Sequence, residues 1–377
     1  MEEDIKTQLK KAKAIYQKKK HDEAEKIYKT AYDEDPEAFT IWDKRFYAWA
    51  LYHLHIKNPS SEDELVKSCE LISELLIQED TNKVKVCAYT TSMLKIINYF
   101  KDNAYECLKW LDMLNPKLLN SNPRSMNRDG RISKFYSDKE KWYSLKTKHL
   151  LDMGEYEETI KFADEALNEL DEFVNNSDIW FKWRIAIANK DLDNYDEALK
   201  YLEEIINSKN DWFILKELAE IYSLNGDYDL ALKYAIDAAL AKGDIKYKIN
   251  LYRLLDEIFI AKDMDEDSES IVELIEAIED DENFVEIEKE LKERWVEIKF
   301  NNQQRSYGTI SNILSHGKAG FIKADDGESY YFNIYEIQGD KSKVKEGDYV
   351  SFFLEESFDK KKNKKTLNAV NINIVDF

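Results

Sequence analysis

One pattern recurs along most of the chain and constrains its fold more than any other feature. A Gly or Asp turn position is followed two residues later by an aromatic residue and three residues after that by a small one. Apolar residues at helical spacing then follow, most clearly in segments 150–167, 191–206 and 219–240. The second half of the pattern returns in 22–36 and 104–116, each of which ends in a proline. Recurrence of this kind predicts an array of similar helix pairs.

The recurring small residue has a packing role, because it lets the two helices of a pair approach closely, while the proline ends the second helix. One pair cannot bury its apolar face alone, so the pairs must stack. The pattern resembles the tetratricopeptide repeat, a helix–turn–helix unit of ~34 residues. The tryptophans Trp42, Trp49 and Trp142 are predicted to lie in the repeat core. The resemblance places repeats at 5–38, 39–79, 84–118, 140–173, 179–211 and 212–244, followed by a helical pair at 246–281 and a capping helix at 284–299.

A segment at 119–140 interrupts the repeats and is long for a turn between helices. Two interpretations remain open. The segment is either a mobile surface loop or a basic finger that contacts a phosphate backbone or an acidic partner. Its basic side chains are Arg124, Arg128, Arg131 and Lys134.

Composition changes near Arg305. Residues 305–377 carry 11 Lys/Arg and 11 Asp/Glu and hold six of the ten glycines, whereas the preceding residues carry 44 basic and 65 acidic side chains and all of the net charge of −21. The change predicts two domains, a helical-repeat domain at 1–300 and a second domain at 305–377. The negative charge opposes binding to nucleic acid and to anionic membranes unless basic residues are segregated.

After Arg305 the helical period gives way to alternation of apolar and polar residues. Five short β-rich runs in about seventy residues fit a five-stranded Greek-key barrel, the OB-fold. The predicted fold class is therefore multidomain α + β, with an all-α solenoid followed by a small OB-fold barrel. The runs are YGTISNI, AGFIKA, SYYFNIYEI, DYVSFFLEE and TLNAVNINIV.

The order of short motifs in this second domain resembles that of a cold-shock domain. The motifs are Gly308-Thr309-Ile310, Gly320-Phe321-Ile322, Asp325-Asp326-Gly327, the YYFN run and Glu346-Gly347-Asp348. The resemblance implies that exposed aromatic residues stack on unpaired bases while lysines hold the phosphates. Gly320 is expected to keep one strand face bare for a base. Ile322, Tyr330 and Phe332 are expected to turn into the core.

The resemblance implies a nucleic-acid-binding set with gaps in it. Asn312 and Ala319 stand where the family has aromatic residues, so affinity is expected to be weaker than that of a full domain. The lysines of segment 359–365 either compensate for that loss or form a solvated turn. The predicted set is Lys318, Phe321, Lys323, Tyr331, Asn333, Lys360, Lys361, Lys362, Lys364 and Lys365.

The sequence predicts a non-enzymatic adaptor. The repeats would bind a protein partner, as a peptide or helix in their groove, and the barrel would bind single-stranded RNA or DNA without strong sequence preference. The alternative is a protein–protein scaffold whose barrel has lost nucleic-acid binding. No cofactor, metal or small-molecule substrate is expected. The three cysteines lack CxxC spacing, and neither a leader nor an apolar run of ~18 residues is present, so a cytoplasmic protein without membrane association is expected.

Overall fold

The computed structural model describes residues 4–84, 86–128, 131–206, 209, 211–301, 303–359 and 364–375. Within these residues the chain forms fifteen α-helices in tetratricopeptide-like pairs, followed by a closed barrel of five strands. The predicted fold class, helical repeats followed by a five-stranded barrel, is confirmed. The chain divides into two compact units, Met1–Asp227 and Tyr228–Phe377.

The first unit holds eleven of the described helices, most of them 11–15 residues long. The first ten helices form five consecutive pairs, in each of which the second helix packs against the first, and the eleventh helix packs against the tenth. The helices are α1 (Ile5–Gln17), α2 (His21–Glu34), α3 (Ile41–Leu51), α4 (Glu62–Leu75), α5 (Ala88–Tyr99), α6 (Ala104–Leu111), α7 (Asp138–Asp152), α8 (Tyr156–Glu169), α9 (Asp178–Asp191), α10 (Tyr195–Ile206) and α11 (Trp212–Leu224).

The turns inside the pairs explain the Gly/Asp position of the repeat. A residue in the left-handed region ends the first helix of several pairs, and Gly or Asp tolerates that backbone better than most residues. These residues are Lys19, Gly154, Asp193, Gly226 and Asp263, with φ between 56° and 76°. The small residues of the second helices are fully buried, among them Ala24, Ala163, Ala198 and Ala231. Turn chemistry and close helix approach together set the repeat.

The structure corrects two expectations for the first unit. The segment at 119–140 is not a loop, because it contains the antiparallel strands β1 (Arg124–Arg128) and β2 (Arg131–Phe135). Trp142 is buried as predicted, but Trp42 is 60% exposed and lies outside the core. Trp42 occupies the first turn of α3, where the Arg45 guanidinium covers its ring at 4.8 Å.

The second unit begins with α12 (Tyr228–Leu240) and continues with α13 (Ile249–Ala261), α14 (Asp265–Glu279) and α15 (Phe284–Phe300). The pair α13–α14 packs as a further repeat, and α15 packs against both α12 and α14. None of the helices in the described ranges is long and apolar enough to cross a bilayer.

The barrel is built from β3 (Ser306–Ile313), β4 (Ala319–Ala324), β5 (Ser329–Asn333), β6 (Tyr349–Asp359) and β7 (Lys364–Ile374). The strands follow the order β3-β4-β5-β7-β6, and β6 pairs with β3 to close the barrel. Only the β5–β7 pair is parallel among the described strand pairs. The core contains Ile310, Ile322, Phe332, Val350, Phe352, Ala369 and Ile372, all 1% exposed or less.

Candidate nucleic-acid interface

Phe321 and Tyr331 form the centre of the predicted site. They are direct cross-strand partners on β4 and β5, and their ring centroids lie 5.8 Å apart in an edge-to-face arrangement. Tyr331 is 37% exposed and Phe321 is half-buried. Ile322 and Phe332, which follow them in each strand, are fully buried. The alternation of the two strands therefore presents this ring pair on the outer face of the barrel.

The row of side chains continues on both sides of the ring pair. Asn312 of β3 is the partner of Phe321, and Asn368 of β7 is the partner of Tyr331. A bulge at Ser311 shifts the β3 register, and the Ser311 hydroxyl donates to the Phe321 carbonyl at 3.0 Å. Asn312 is exposed, so an amide side chain lies on the outer face beside the ring pair.

The sequence predicted that Gly320 leaves the outer face of its strand bare for a base, and the structure contradicts this prediction. A Cβ at Gly320 would lie 2.6 Å from the Phe332 ring and 2.4 Å from the Asn312 carbonyl oxygen. Its missing side chain therefore points into the barrel, on the same side as Ile322. The glycine makes room for the Phe332 ring in the core. Tyr330 turns toward the core as predicted, because its ring packs against the core cluster with its centroid 6.0 Å from that of Phe352, while its hydroxyl donates to Asp326 at 3.2 Å.

The predicted polar residues of the face are exposed, but several are engaged locally. Lys318 lies immediately before β4. The Lys323 ammonium donates to the carbonyl of Gly327 in the turn after β4. The Asn333 side-chain carbonyl accepts from the Tyr335 backbone N–H at 3.0 Å and caps the short helix Ile334–Glu336. Asn333 thus has a structural role, and a ligand that used its side-chain oxygen would compete with the Tyr335 N–H.

The lysine segment between the last strands is described in part. Lys360, Lys361 and Lys362 lie outside the described residues. Lys364 and Lys365 are exposed at the start of β7, and the Lys365 ammonium lies 3.8 Å from the Glu356 carboxylate. Both members of that pair are at least 80% exposed, so it adds little to stability.

Sequence reasoning missed a second pair of rings on the outer surface. Tyr307 of β3 and Tyr349 of β6 stack with centroids 6.2 Å apart, and Tyr307 is 45% exposed. The Tyr349 hydroxyl donates to Asp325 at 2.6 Å, and this hydrogen bond raises the pKa of Tyr349. The signal was present, because both tyrosines alternate with buried residues, Gly308 and Val350.

Charge on this face is mixed. Lys318 and Lys323 lie near the ring pair, while Asp325, Asp326 and Glu328 occupy the adjoining turn. The carboxylates oppose the lysines within about a Debye length, near 8 Å at physiological salt. The formal charges of these five side chains sum to −1, so the face has no net positive charge.

The second predicted basic segment forms the β1–β2 hairpin. The Arg124 guanidinium pairs with Asp138 at 2.5 Å, and the Lys134 ammonium pairs with Glu172. Arg128 and Arg131 are direct backbone partners at the turn end of the hairpin. Two of its four predicted cations are thus already neutralised by carboxylates of the same unit.

Comparison with known proteins gives a loose likeness of fold. No protein-family profile matches the chain, and no curated protein matches it. A tetratricopeptide repeat protein from Parabacteroides merdae superposes with a TM-score of 0.36 and 15% identity, covering 78% of this chain and 98% of that one. BtubC (BKLC) from P. vanneervenii gives a TM-score of 0.35 and 14% identity, covering 74% and 92%. The case for repeats rests on the helix pairs of the chain itself.

Proposed function

We propose that the protein is a non-enzymatic adaptor whose helical repeats bind a protein partner and whose barrel binds single-stranded RNA or DNA weakly, without strong sequence preference. The functional modules would be residues 1–300 and 305–377. The observation that carries the nucleic-acid part is the Phe321–Tyr331 pair, two rings 5.8 Å apart on adjacent strands of a small closed barrel.

The strand order supports assignment of the barrel as a cold-shock-like OB-fold. That fold is a five-stranded Greek-key barrel, in which the first strand pairs with the second and fourth and the third runs parallel to the fifth. Here β3 pairs with β4 and β6, and β5 runs parallel to β7. In this fold the outer faces of the middle strands bind unpaired bases, which is where Phe321 and Tyr331 lie.

The helical part supports a protein partner. Large apolar side chains remain exposed on the first unit, including Ile77 at 82% and Tyr105 at 69%. A protein partner that covers these side chains would remove their apolar surface from water.

The cysteines support the cytoplasmic localisation that we propose, because all three are free thiols. All three are buried thiols, and burial raises the pKa of Cys69 to about 12 and that of Cys107 to about 11. Thiols held in that form are poor nucleophiles.

The barrel site is tested by fluorescence anisotropy of the full-length protein with a fluorescein-labelled oligouridylate. Phe321→Ala and Tyr331→Ala each remove a stacking ring worth ~1–3 kcal/mol, so each should weaken binding at least about fivefold. The matched control is Tyr247→Ala, which removes a tyrosine that is 77% exposed on the helical part.

Photo-cross-linking with a 4-thiouridine oligonucleotide locates the contact. Adducts are expected on peptides containing Phe321 or Tyr331. If the Phe321→Ala and Tyr331→Ala variants bind the oligonucleotide with the affinity of the Tyr247→Ala control, and no adduct maps to the barrel, the nucleic-acid role proposed for this face is wrong. A protein contact would then be the remaining role for the barrel.

A further inference from the structure

The charged side chains of the first helix and of the turn that follows it are all basic. Residues 5–20 contain seven lysines and neither Asp nor Glu, in a protein of net charge −21. Lys6, Lys10 and Lys13 follow one another at intervals of four and three residues, which places them on one face of α1. All three are exposed, and at 1.5 Å per residue they are spaced about 6 Å and 4.5 Å along the helix.

A row of aromatic residues on α3 and the turn after it lies beside this lysine row. Trp42, Phe46, Trp49 and His53 also recur at intervals of four and three residues and share one face. The Lys13 ammonium lies 5.0 Å from the centroid of the Phe46 ring, so the two rows meet at this point. We name Lys6, Lys10, Lys13 and this aromatic row the lysine–aromatic face.

Rings from three elements join this aromatic row into one network. Tyr16 of α1 contacts Phe46 edge-on, with centroids 5.4 Å apart, and contacts His21 at 5.0 Å. His21 stacks on His53 with centroids 4.4 Å apart and an interplanar angle of 19°, and Trp49 lies 6.2 Å from His53. His53 is exposed, and Tyr16, Phe46 and Trp49 are half-buried because one side of each packs against the core, so the network keeps part of its ring surface in contact with solvent.

Local backbone and sequence details point to a site here. His53 is carried by a π-helical segment, Tyr52–Ile56, and such segments occur frequently at functional sites. His21 stands at the repeat position that Tyr156 and Tyr195 occupy in later pairs. Within the described residues, its Nδ1 is buried and has no hydrogen-bond partner. Burial lowers the pKa of both histidines, which favours neutral rings suited to stacking at pH 7.

We propose that the lysine–aromatic face is a second site for single-stranded nucleic acid, separate from the barrel. The lysines would neutralise phosphates, and the exposed rings, Trp42 first among them, would stack on bases. An acidic peptide would match the lysines equally well, but it would leave the aromatic row without a role. This proposal goes beyond the proposed function, and it does not rest on nucleic-acid binding by the barrel.

The test uses full-length protein and a fluorescein-labelled oligouridylate, with the dissociation constant measured over a range of salt concentrations. The triple substitution Lys6→Gln, Lys10→Gln, Lys13→Gln should reduce the slope of log K against log salt by about 2, since each phosphate contact on a single strand contributes about 0.7. With Phe321→Ala and Tyr331→Ala present to remove the barrel contribution, Trp42→Ala, at a position that is 60% exposed, should weaken binding at least about fivefold.

The matched control replaces three other exposed lysines of the same unit by glutamine, Lys67, Lys83 and Lys117, whose side chains are 72–82% exposed. It makes the same change in total charge. Repeating both triple substitutions with Phe321→Ala and Tyr331→Ala present separates this site from the barrel, because the effect of the first set should persist.

Three results would overturn the proposal. One is an equal change of slope in the two triple variants, which would mean that total charge alone matters. Another is an absence of oligonucleotide binding at low salt by the full-length protein. The third is binding of poly-glutamate that matches the oligonucleotide in affinity and is unaffected by Trp42→Ala, which would make the ligand an acidic polypeptide.

Discussion

The junction between the last helix and the barrel gives a prediction whose size follows from the structure. Phe300, at the end of α15, is 6% exposed and stacks on Phe353 of β6 with centroids 4.2 Å apart and an interplanar angle of 7°. The Arg305 guanidinium lies 4.3 Å from the centroid of the Phe353 ring. The Lys299 ammonium is 2.7 Å from both Asp237 of α12 and Glu355 of β6. The barrel is thus packed against the helices of its own unit.

Phe300→Ala should loosen both sides of this junction. Burial of a phenylalanine side chain contributes about 2 kcal/mol, and the parallel ring pair adds about 1 kcal/mol. The expected loss in free energy of unfolding is therefore about 3 kcal/mol for the second unit. For a unit of this size, such a loss lowers Tm by about 6–12 °C. Phe300→Leu keeps most of the apolar volume and should cost about 1 kcal/mol.

Hydrogen exchange followed by mass spectrometry on the full-length protein separates helix from barrel. If the junction couples them, Phe300→Ala should reduce amide protection about hundredfold both in α15 and in the barrel strands, because 1.4 kcal/mol is a factor of ten. Phe300→Leu should give the same pattern at smaller amplitude. Unchanged protection in β3–β7 beside a large loss in α15 would show that the barrel is stable by itself, and the coupling argument would be wrong.

Two further changes test smaller features. Gly320→Ala should destabilise the barrel by roughly 2–3 kcal/mol, because its Cβ would meet the Phe332 ring at 2.6 Å. Gly317→Ala, where φ is 68° and nothing lies within 4 Å of the added Cβ, should cost about 1 kcal/mol. Thermal unfolding compares the two variants, and equal losses of stability would contradict the inward direction of Gly320. Burial lowers the folded-state pKa of His53 and His21, so the unfolded chain binds protons first as the pH falls and stability decreases below about pH 6.5. His53→Phe should make this decrease smaller. An equal fall in Tm for wild type and variant would contradict this.

The sequence predicted the repeats well because their signal is local. A left-handed turn residue such as Gly154 or Asp193 and a buried alanine such as Ala198 act within one helix pair. Each pair can therefore be recognised from its own sequence. The barrel strands were predictable for a similar reason, since alternation reports which side chains enter the core. The expectation that Gly320 leaves the outer face bare was wrong, although the same alternation indicates its inward direction, because a residue two positions before Ile322 shares its face.

Other features depend on contacts between residues far apart in sequence, although one of them, the β1–β2 hairpin, has a local sequence signal. The sequence between β1 and β2 contains an Asp-Gly pair at 129–130, which is the usual sequence signal for a hairpin, although these two positions lie outside the described residues. The exposure of Trp42 had no such signal, because its position on α3 has helical spacing typical of a core residue. Contacts such as Phe300 on Phe353 join residues far apart in sequence, and no local pattern predicts them.

The net charge of a whole chain is a poor predictor of nucleic-acid binding for a physical reason. A charge of −21 is summed over 377 residues, but at physiological salt a phosphate is influenced mainly by charges within about 8 Å. Local composition is therefore the relevant quantity, and it differs between the two candidate surfaces. The lysines of the barrel face lie beside Asp325, Asp326 and Glu328, whereas residues 5–20 carry no acid. Binding to the first helix should consequently weaken steeply with added salt, while binding to the barrel, which depends on stacking, should change less.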